Sequence, residues 1–246
     1  MLAVSKQLAV RNKILAALPY EEFARLLPHL ESVHLAKGET VYLAGDDIKC
    51  AYFLDSGLLS FLSTTETGST IEIAMVGNEG VVGVPVLLRN RVIPYEVTVQ
   101  FVTEAFKIRA EALQEEFDRG ETLQKLVHRY LNVLIVQIAQ LCICNRFHPL
   151  EETLSRWLLI VQDRVSLDNL NLTQETISQI LGVPRTAVTM AAGGLQRAGL
   201  IRYSRGKIFI LDRTRLEANS CECYRIIRDE LNHFLKESVL RPAGNS

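Results

Sequence analysis

At 246 residues, with 48% hydrophobic and 22% charged positions, the chain has the make-up of an ordinary globular protein with room for about two domains. The net charge is only −1, so any charged footprint has to be concentrated in one segment. No uninterrupted apolar run approaches the ~20 residues of a membrane span, and the amphipathic start MLAVSKQLAVRNKILAAL lacks the basic, apolar and cleavage regions of a secretory signal, so a cytoplasmic protein with no membrane partner is expected.

In chain order, residues 1–30 read as helical, with Pro19 opening a short helix that carries acids in its first turn. From Glu31 to about Ala110 the pattern changes to short β-prone runs: Ser32–Leu35, Thr40–Leu43, Ala51–Leu54, Leu58–Ser63, Thr70–Val76, Tyr95–Val99 and Phe101–Ile108. Turn residues such as Ser56-Gly57, Thr67-Gly68 and Gly77-Asn78 separate them, and strands at this spacing predict an antiparallel barrel or sandwich. A short helix follows to Asp118, then a long one over about Glu121–Cys144. In it Leu123, Val127, Tyr130, Leu134, Gln137 and Leu141 are spaced 4, 3, 4, 3, 4, an a/d seam widened by Leu126, Leu131 and Ile138. So much apolar circumference is most simply buried against the same helix of a second subunit, the alternative being a helix wrapped within one subunit. Gln137 stands in the seam either as a register-fixing polar residue or at a solvated edge.

Asn145–Pro149 reads as a hinge, because Pro149 cannot continue the helix. The next helix, about Leu150–Arg164, presents Leu154, Trp157, Leu158 and Val161 inward. Residues 172–201 then carry the pattern richest in functional meaning. Thr173 is a helix N-cap, Ile177, Ile180 and Leu181 form one face, Gly182 stops the helix in the left-handed conformation, and Pro184 opens a second helix. That second helix turns Val188, Ala191, Ala192 and Leu195 inward and Arg185, Thr186, Thr189 and Met190 outward near its N-terminal end, the end from which a recognition helix reads bases. Arg185 suits guanine O6/N7. Two β-rich runs, Ile201–Tyr203 and Ile208–Ile210, flank Ser204-Arg205-Gly206-Lys207, which makes the motif a winged helix-turn-helix with basic residues at the wing tip for phosphate. Between Thr173 and Leu211 five basic residues (Arg185, Arg197, Arg202, Arg205, Lys207) face one acid, Glu175, a net +4. About Thr214–Lys236 reads as a final helix, with a frayed tail from Leu240.

The candidate DNA contacts are therefore Thr173, Gln174, Arg185, Thr186, Thr189, Met190, Arg205 and Lys207. The five cysteines, Cys50, Cys142, Cys144, Cys221 and Cys223, fit a reducing compartment, and two helical residues at i, i+2 point to different faces, so each Cys-x-Cys pair is read as small apolar residues and no metal site is expected. There is no P-loop, Rossmann fingerprint, nucleophile elbow or metal-binding His pair, and Glu21-Glu22 and Glu115-Glu116 read as helix-surface charge, so an enzyme is not expected.

This order of parts resembles the family of the cyclic AMP receptor protein and the fumarate–nitrate reduction regulator. The resemblance covers roughly residues 20–211 and rests on Lys37-Gly38-Glu39, Gly45-Asp46, Tyr52-Phe53-Leu54 through Ser56-Gly57, and above all Leu172-Thr173-Gln174-Glu175, Gly182-Val183-Pro184-Arg185 and Gly199-Leu200-Ile201. It implies an α+β chain: an effector-sensing jelly-roll barrel with N-terminal helices (1–120), a dimerisation helix (121–144), a hinge (145–149) and a DNA-binding domain (150–240). It implies a homodimer on a pseudo-palindromic double-stranded operator, RNA polymerase as a further partner if the protein activates, and a small-molecule effector of unknown identity. The effector-pocket candidates are Gly83, Val84, Arg89, Arg91 and Tyr95, with Val127 and Tyr130 of the long helix. The chain departs from the family where a cyclic phosphate would sit: Val84 replaces the ribose-binding Glu and Ile93-Pro94-Tyr95 replaces the Arg-Ser-Ala run, so cyclic nucleotide is not the expected effector. No cysteine precedes Cys50, so the family's N-terminal iron–sulfur cluster is not expected, and a haem ligand would have to be His128 or His148. Met190 stands where a second recognition-helix arginine is common. The competing reading is a ligand-binding module that controls a protein partner without DNA.

Overall fold

The computed structural model describes residues 7–239, with side chains to Lys236, so the tail expected from Leu240 lies outside the described residues. The chain divides into two compact units. One takes in the chain up to Phe61, Met75–Ile135 and the stretch from Leu231; the other takes in Leu62–Ala74 and Val136–Glu230.

The N-terminal region is helical in short pieces, one of them following Pro19 as expected. It holds α1 (Lys13–Ala16) and α2 (Tyr20–Leu26), the first capped by the Asn12 side chain, which accepts from Leu15 N. Eight strands follow: β1 (Glu31–Leu35), β2 (Thr40–Tyr42), β3 (Cys50–Leu54), β4 (Leu58–Thr64), β5 (Thr70–Val76), β6 (Val81–Val82), β7 (Glu96–Phe101) and β8 (Thr103–Arg109). They form two four-stranded sheets, β1-β8-β3-β6 and β2-β7-β4-β5, a jelly-roll-like arrangement rather than the closed barrel that was one reading of the sequence. The turn between β3 and β4 requires glycine twice over. Gly57 has φ +83°, and a Cβ there would come within 2.3 Å of Thr103 Oγ1 and 2.4 Å of the Val102 carbonyl oxygen. Phe53, Leu54, Leu58, Val81, Val82 and Val97 are fully buried, and the adjacent pairs Phe53-Leu54 and Val81-Val82 show that these strands are covered on both faces there.

α3 (Ala110–Asp118) leads to α4 (Thr122–Phe147). α4 is long and apolar enough to cross a membrane by length and composition, but the described residues place one side of it in the protein core. Its first free amides, Thr122 N and Leu123 N, donate to the Glu22 carboxylate at 3.0 and 2.9 Å. Glu116 accepts a bidentate pair from Arg25 and also pairs with Arg119 at 3.0 Å. Glu22 and Glu116 are thus buried, and only Glu21 and Glu115 are the surface charges expected of both pairs.

α4 also corrects two expectations. It continues through Asn145–Phe147, because Pro149 lacks an N–H and pushes only the residue before it, His148, out of the helical region; His148 N still bonds the Cys144 carbonyl, and the interruption shrinks to His148-Pro149. The seam Leu123, Val127, Tyr130, Leu134, Gln137, Leu141 is already buried within a single chain, none of the six more than 9% exposed. Gln137 is buried, not at a solvated edge, and its Oε1 accepts from Arg164 Nη2 at 3.4 Å within the chain. The apolar side of α4 that remains open is one step round the helix: Ile135, Ile138 and Cys142 are exposed, with Leu131 half-buried, again spaced 4, 3, 4.

In the second unit α5 (Leu150–Val165) follows Pro149 as its N-cap. Leu154, Trp157, Leu158 and Val161 are fully buried as expected, and so are Leu159 and Ile160 on the flanks. Trp157 Nε1 donates to Glu72 Oε1 at 3.0 Å on the distal part of β5. β9 (Asn169–Asn171) precedes α6 (Gln174–Leu181), α7 (Arg185–Arg197) and the hairpin β10 (Ile201–Ser204) with β11 (Lys207–Ile210). β9 adds to β11, so the wing is a three-stranded sheet. The expected last helix is two, α8 (Arg213–Asn219) and α9 (Glu222–Val239). The break comes at extended Ser220, whose hydroxyl donates to the Glu217 carbonyl at 2.8 Å.

Candidate nucleic-acid interface and thiol cluster

The helix-turn-helix is built by local chemistry. Thr173 Oγ1 accepts from Thr176 N at 3.1 Å and caps α6. Gly182 ends it at φ +64°, and the Ser178 hydroxyl donates to the Val183 carbonyl at 2.6 Å across the corner. Pro184 is the N-cap of α7 rather than its first residue, which leaves Arg185 as the first helical position. Val188, Ala191, Ala192 and Leu195 are buried, and Arg185, Thr186, Thr189 and Met190 are exposed, Met190 to 75%. Thr189 donates back to the Arg185 carbonyl at 3.0 Å, so its methyl is the part left to face outward.

The wing tip turns through Arg205 (φ +49°) and Gly206 (φ +74°), two consecutive left-handed residues as in a type I′ hairpin. The wing is anchored to the helix-turn-helix at three points. Leu172 N donates to the Gly206 carbonyl at 2.8 Å. The Tyr203 hydroxyl donates to the Leu172 carbonyl at 3.0 Å. Tyr203 N donates to Gln196 Oε1 at 2.7 Å. Thr173, Gln174, Arg185, Tyr203, Ser204, Arg205 and Gly206 consequently line one depression of about 400 Å³. Arg185 Nε donates to Gln174 Oε1 at 3.4 Å across it. Tyr203, absent from the residues predicted for this surface, is brought in by the β10–β11 register, and its alternation within the strand was the signal that pointed to it. Thr186, Thr189, Met190 and Lys207 lie outside the lining of this depression but on the exposed surface of α7 and the wing.

The effector candidates fall in the first unit. Gly83 is left-handed (φ +100°) and packs on Ala51, Val84 is buried, and Val127 and Tyr130 are fully buried. Tyr95 stacks on Phe61 with centroids 5.3 Å apart. The two arginines are committed elsewhere: Arg89 to Asp118 at 2.5 Å, and Arg91 to Asp47 and Glu111 at 3.0 Å each. His128 packs edge-on to Phe117.

Three cysteines converge in the second unit, where sequence spacing alone paired them differently. Cys144 at the end of α4, Cys221 at the α8–α9 break and Cys223 in the first turn of α9 are buried. Cys142 is exposed and Cys50 half-buried. Cys221 and Cys223 both turn inward because the break puts them in different backbone conformations instead of at i, i+2 of one helix. Cys144 Sγ lies 3.5 Å from Cys221 Sγ, 3.3 Å from Thr153 Oγ1 and 3.2 Å from Arg156 Nε. The hydrogen bond from Cys221 pulls the Cys144 thiol down, helped by the Arg156 charge and Thr153 and opposed by burial; the donor, Cys221, is pushed up. Cys223 Sγ is 3.7 Å from His148 Nδ1, and the other ring nitrogen, Nε2, is 3.3 Å from Glu222 Oε2. The contact with Cys144, and after it the Glu222 charge, raises the His148 imidazole.

A model of the cyclic nucleotide-binding domain matches residues 32–119, and one of the Crp-like helix-turn-helix domain matches residues 152–219. The global nitrogen regulator of Synechococcus elongatus is 22% identical over 74% of this chain and 86% of its own. Among solved structures, FixK2 from Bradyrhizobium japonicum superposes with a TM-score of 0.67 over 78% of this chain and 98% of that one, at 14% identity. The c-di-GMP responsive global regulator CLP of Xanthomonas campestris superposes with a TM-score of 0.66 over 79% and 100%, at 16% identity.

Proposed function

Since the chain belongs to the Crp/Fnr family of transcription regulators, we propose that it is a cytoplasmic homodimer that binds a pseudo-palindromic operator and answers to a signal other than cyclic AMP. The observation that carries the DNA reading is the single surface on which the N-terminal turn of α7 and the wing tip meet, in a segment of net +4. In this reading α7 enters the major groove with Arg185 on a guanine edge and Thr189 presenting a methyl group. Arg205 and Lys207 hold the flanking phosphates and fix the register without reading sequence. Two-fold symmetry sets the half-sites about one helical turn apart. The self-complementary stripe Leu131, Ile135, Ile138, Cys142 on α4 is the face we assign to the second copy.

The cyclic-AMP-independent part rests on Arg89 and Arg91. A buried cyclic phosphate needs a cation or several donors, and both arginines near the expected site are engaged by carboxylates. An operator selected from random duplexes, followed by fluorescence-anisotropy titration, tests the whole proposal. Arg185→Ala is expected to cost about 1–3 kcal/mol at the selected site and to relax one base position. Saturating cyclic AMP is expected to leave the isotherm unchanged. An equal loss on every sequence makes Arg185 a phosphate contact, and tightening by cyclic AMP overturns the effector reading.

A further inference from the structure

The thiol cluster has no part in the DNA surface, and its geometry is that of a ligand set. Each of Cys144, His148, Cys221 and Cys223 offers one donor atom, and the four donors all lie within 4.8 Å of one another. Zinc–sulfur bonds of ≈ 2.3 Å at tetrahedral angles hold thiolates about 3.8 Å apart. The Cys144–Cys221 separation is 3.5 Å and the Cys223–His148 separation 3.7 Å. An iron–sulfur cluster, whose inorganic core spreads its thiolates, does not fit so tight a set.

Two surrounding features point the same way. His148 turns Nδ1 to the sulfurs and Nε2 to Glu222 at 3.3 Å, the carboxylate–histidine arrangement that orients a ligating imidazole and strengthens it as a base. Arg156 is only 1% exposed, and among the described residues no carboxylate pairs with its guanidinium, which touches Cys144 Sγ. A buried cation without a counter-charge is costly. Three thiolates, a neutral imidazole and a dication sum to −1, which Arg156 neutralises.

We propose that Cys144, His148, Cys221 and Cys223 form a closed four-ligand site for one thiophilic divalent ion of the zinc class. Each thiol gives up its proton as its sulfur–metal bond forms, so binding releases protons to solvent and weakens with acid. The site ties the last turn of α4 and the His148-Pro149 interruption to the start of α9, all within the second unit. It stands independently of the DNA-binding reading.

The test uses the full chain purified under thiol reductant without chelator. Elemental analysis is expected to find about one zinc per chain. Metal-stripped protein titrated with Co(II) is expected to give intense tetrahedral ligand-field bands and thiolate-to-cobalt charge transfer at one equivalent. Cys142→Ser and Cys50→Ser are expected to keep these spectra, Cys221→Ser and His148→Ala to lose them or shift them to a three-ligand form, and Glu222→Gln to weaken Co(II) binding about tenfold or more. Should Cys221→Ser fail to fold, competition of a chromophoric chelator against the zinc of the unmodified chain reads the same site. Two outcomes each overturn the proposal: no metal after reconstitution of protein with five reactive thiols, or a cobalt spectrum that Cys221→Ser leaves unchanged.

Discussion

The carboxylate of Glu22 caps a helix that begins one hundred residues later, accepting from Thr122 N and Leu123 N. In the sequence it looks like a surface charge, because an acid in the first turn of an amphipathic helix fits that role and its true partner is remote. Glu116, buried under Arg25 and Arg119, escaped for the same reason. Local chemistry was legible by contrast: Thr173 as a cap, Gly182 as a left-handed stop and Gly206 in the wing turn each act within a few residues of themselves. Removing the Glu22 carboxylate strands two amides, one of them buried, at a site less than 5% exposed. Glu22→Ala is therefore expected to lower the stability of the first unit by about 2 kcal/mol, read as a lower urea midpoint. Glu22→Gln, which keeps one acceptor oxygen, should lose about half as much.

At the scale of elements, every strand of three or more residues but β9 is legible in the sequence to within a few residues, whereas β6, though flanked by Gly80 and Gly83, and β9 are too short to carry a period. The α8–α9 break was hidden because neither Gly nor Pro marks it; Ser220 makes it with a side-chain bond to the Glu217 carbonyl. The thiol cluster follows from that break and from a pairing 77 residues apart in sequence, neither of which spacing reveals. α4 is the instructive case. Two stripes with 4-3-4 spacing run along it, and period alone cannot say which one faces the chain's own core. The buried one contains Leu134 at 9% exposure, the open one Ile135 at 62%. A charge on each stripe should have different consequences. Ile138→Asp is expected to leave the far-ultraviolet spectrum nearly unchanged while shifting sedimentation from dimer to monomer, since it desolvates a charge only on association. Leu134→Asp should cost about 3 kcal/mol or more of folding stability. An Ile138→Asp protein that still sediments as a dimer would remove the assignment of the open stripe.

For the whole molecule the decisive quantity is the distribution of charge. The chain totals −1 and residues 173–211 carry +4, which leaves −5 for everything else. The remainder repels a polyanion, so the field itself orients the approach and presents α7 and the wing first. Affinity on DNA should then depend steeply on salt although the protein is net acidic. If Arg185 is engaged by a base, Arg202, Arg205 and Lys207 are the phosphate cations of each protomer, about six per dimer, and log K against log salt should fall with a slope of about −5. Arg202 lies over the Phe209 ring at 4.7 Å, which braces its guanidinium against the wing. Lys207→Ala removes one contact per protomer, so the slope should flatten by about 2 while affinity drops on operator and random duplex alike. Arg185→Ala should do the opposite, lowering affinity on the operator far more than on random duplex and leaving the slope in place. If the two variants exchange these behaviours, the wing is the reader and α7 the backbone clamp, and the docking geometry assigned to this surface has to be reversed.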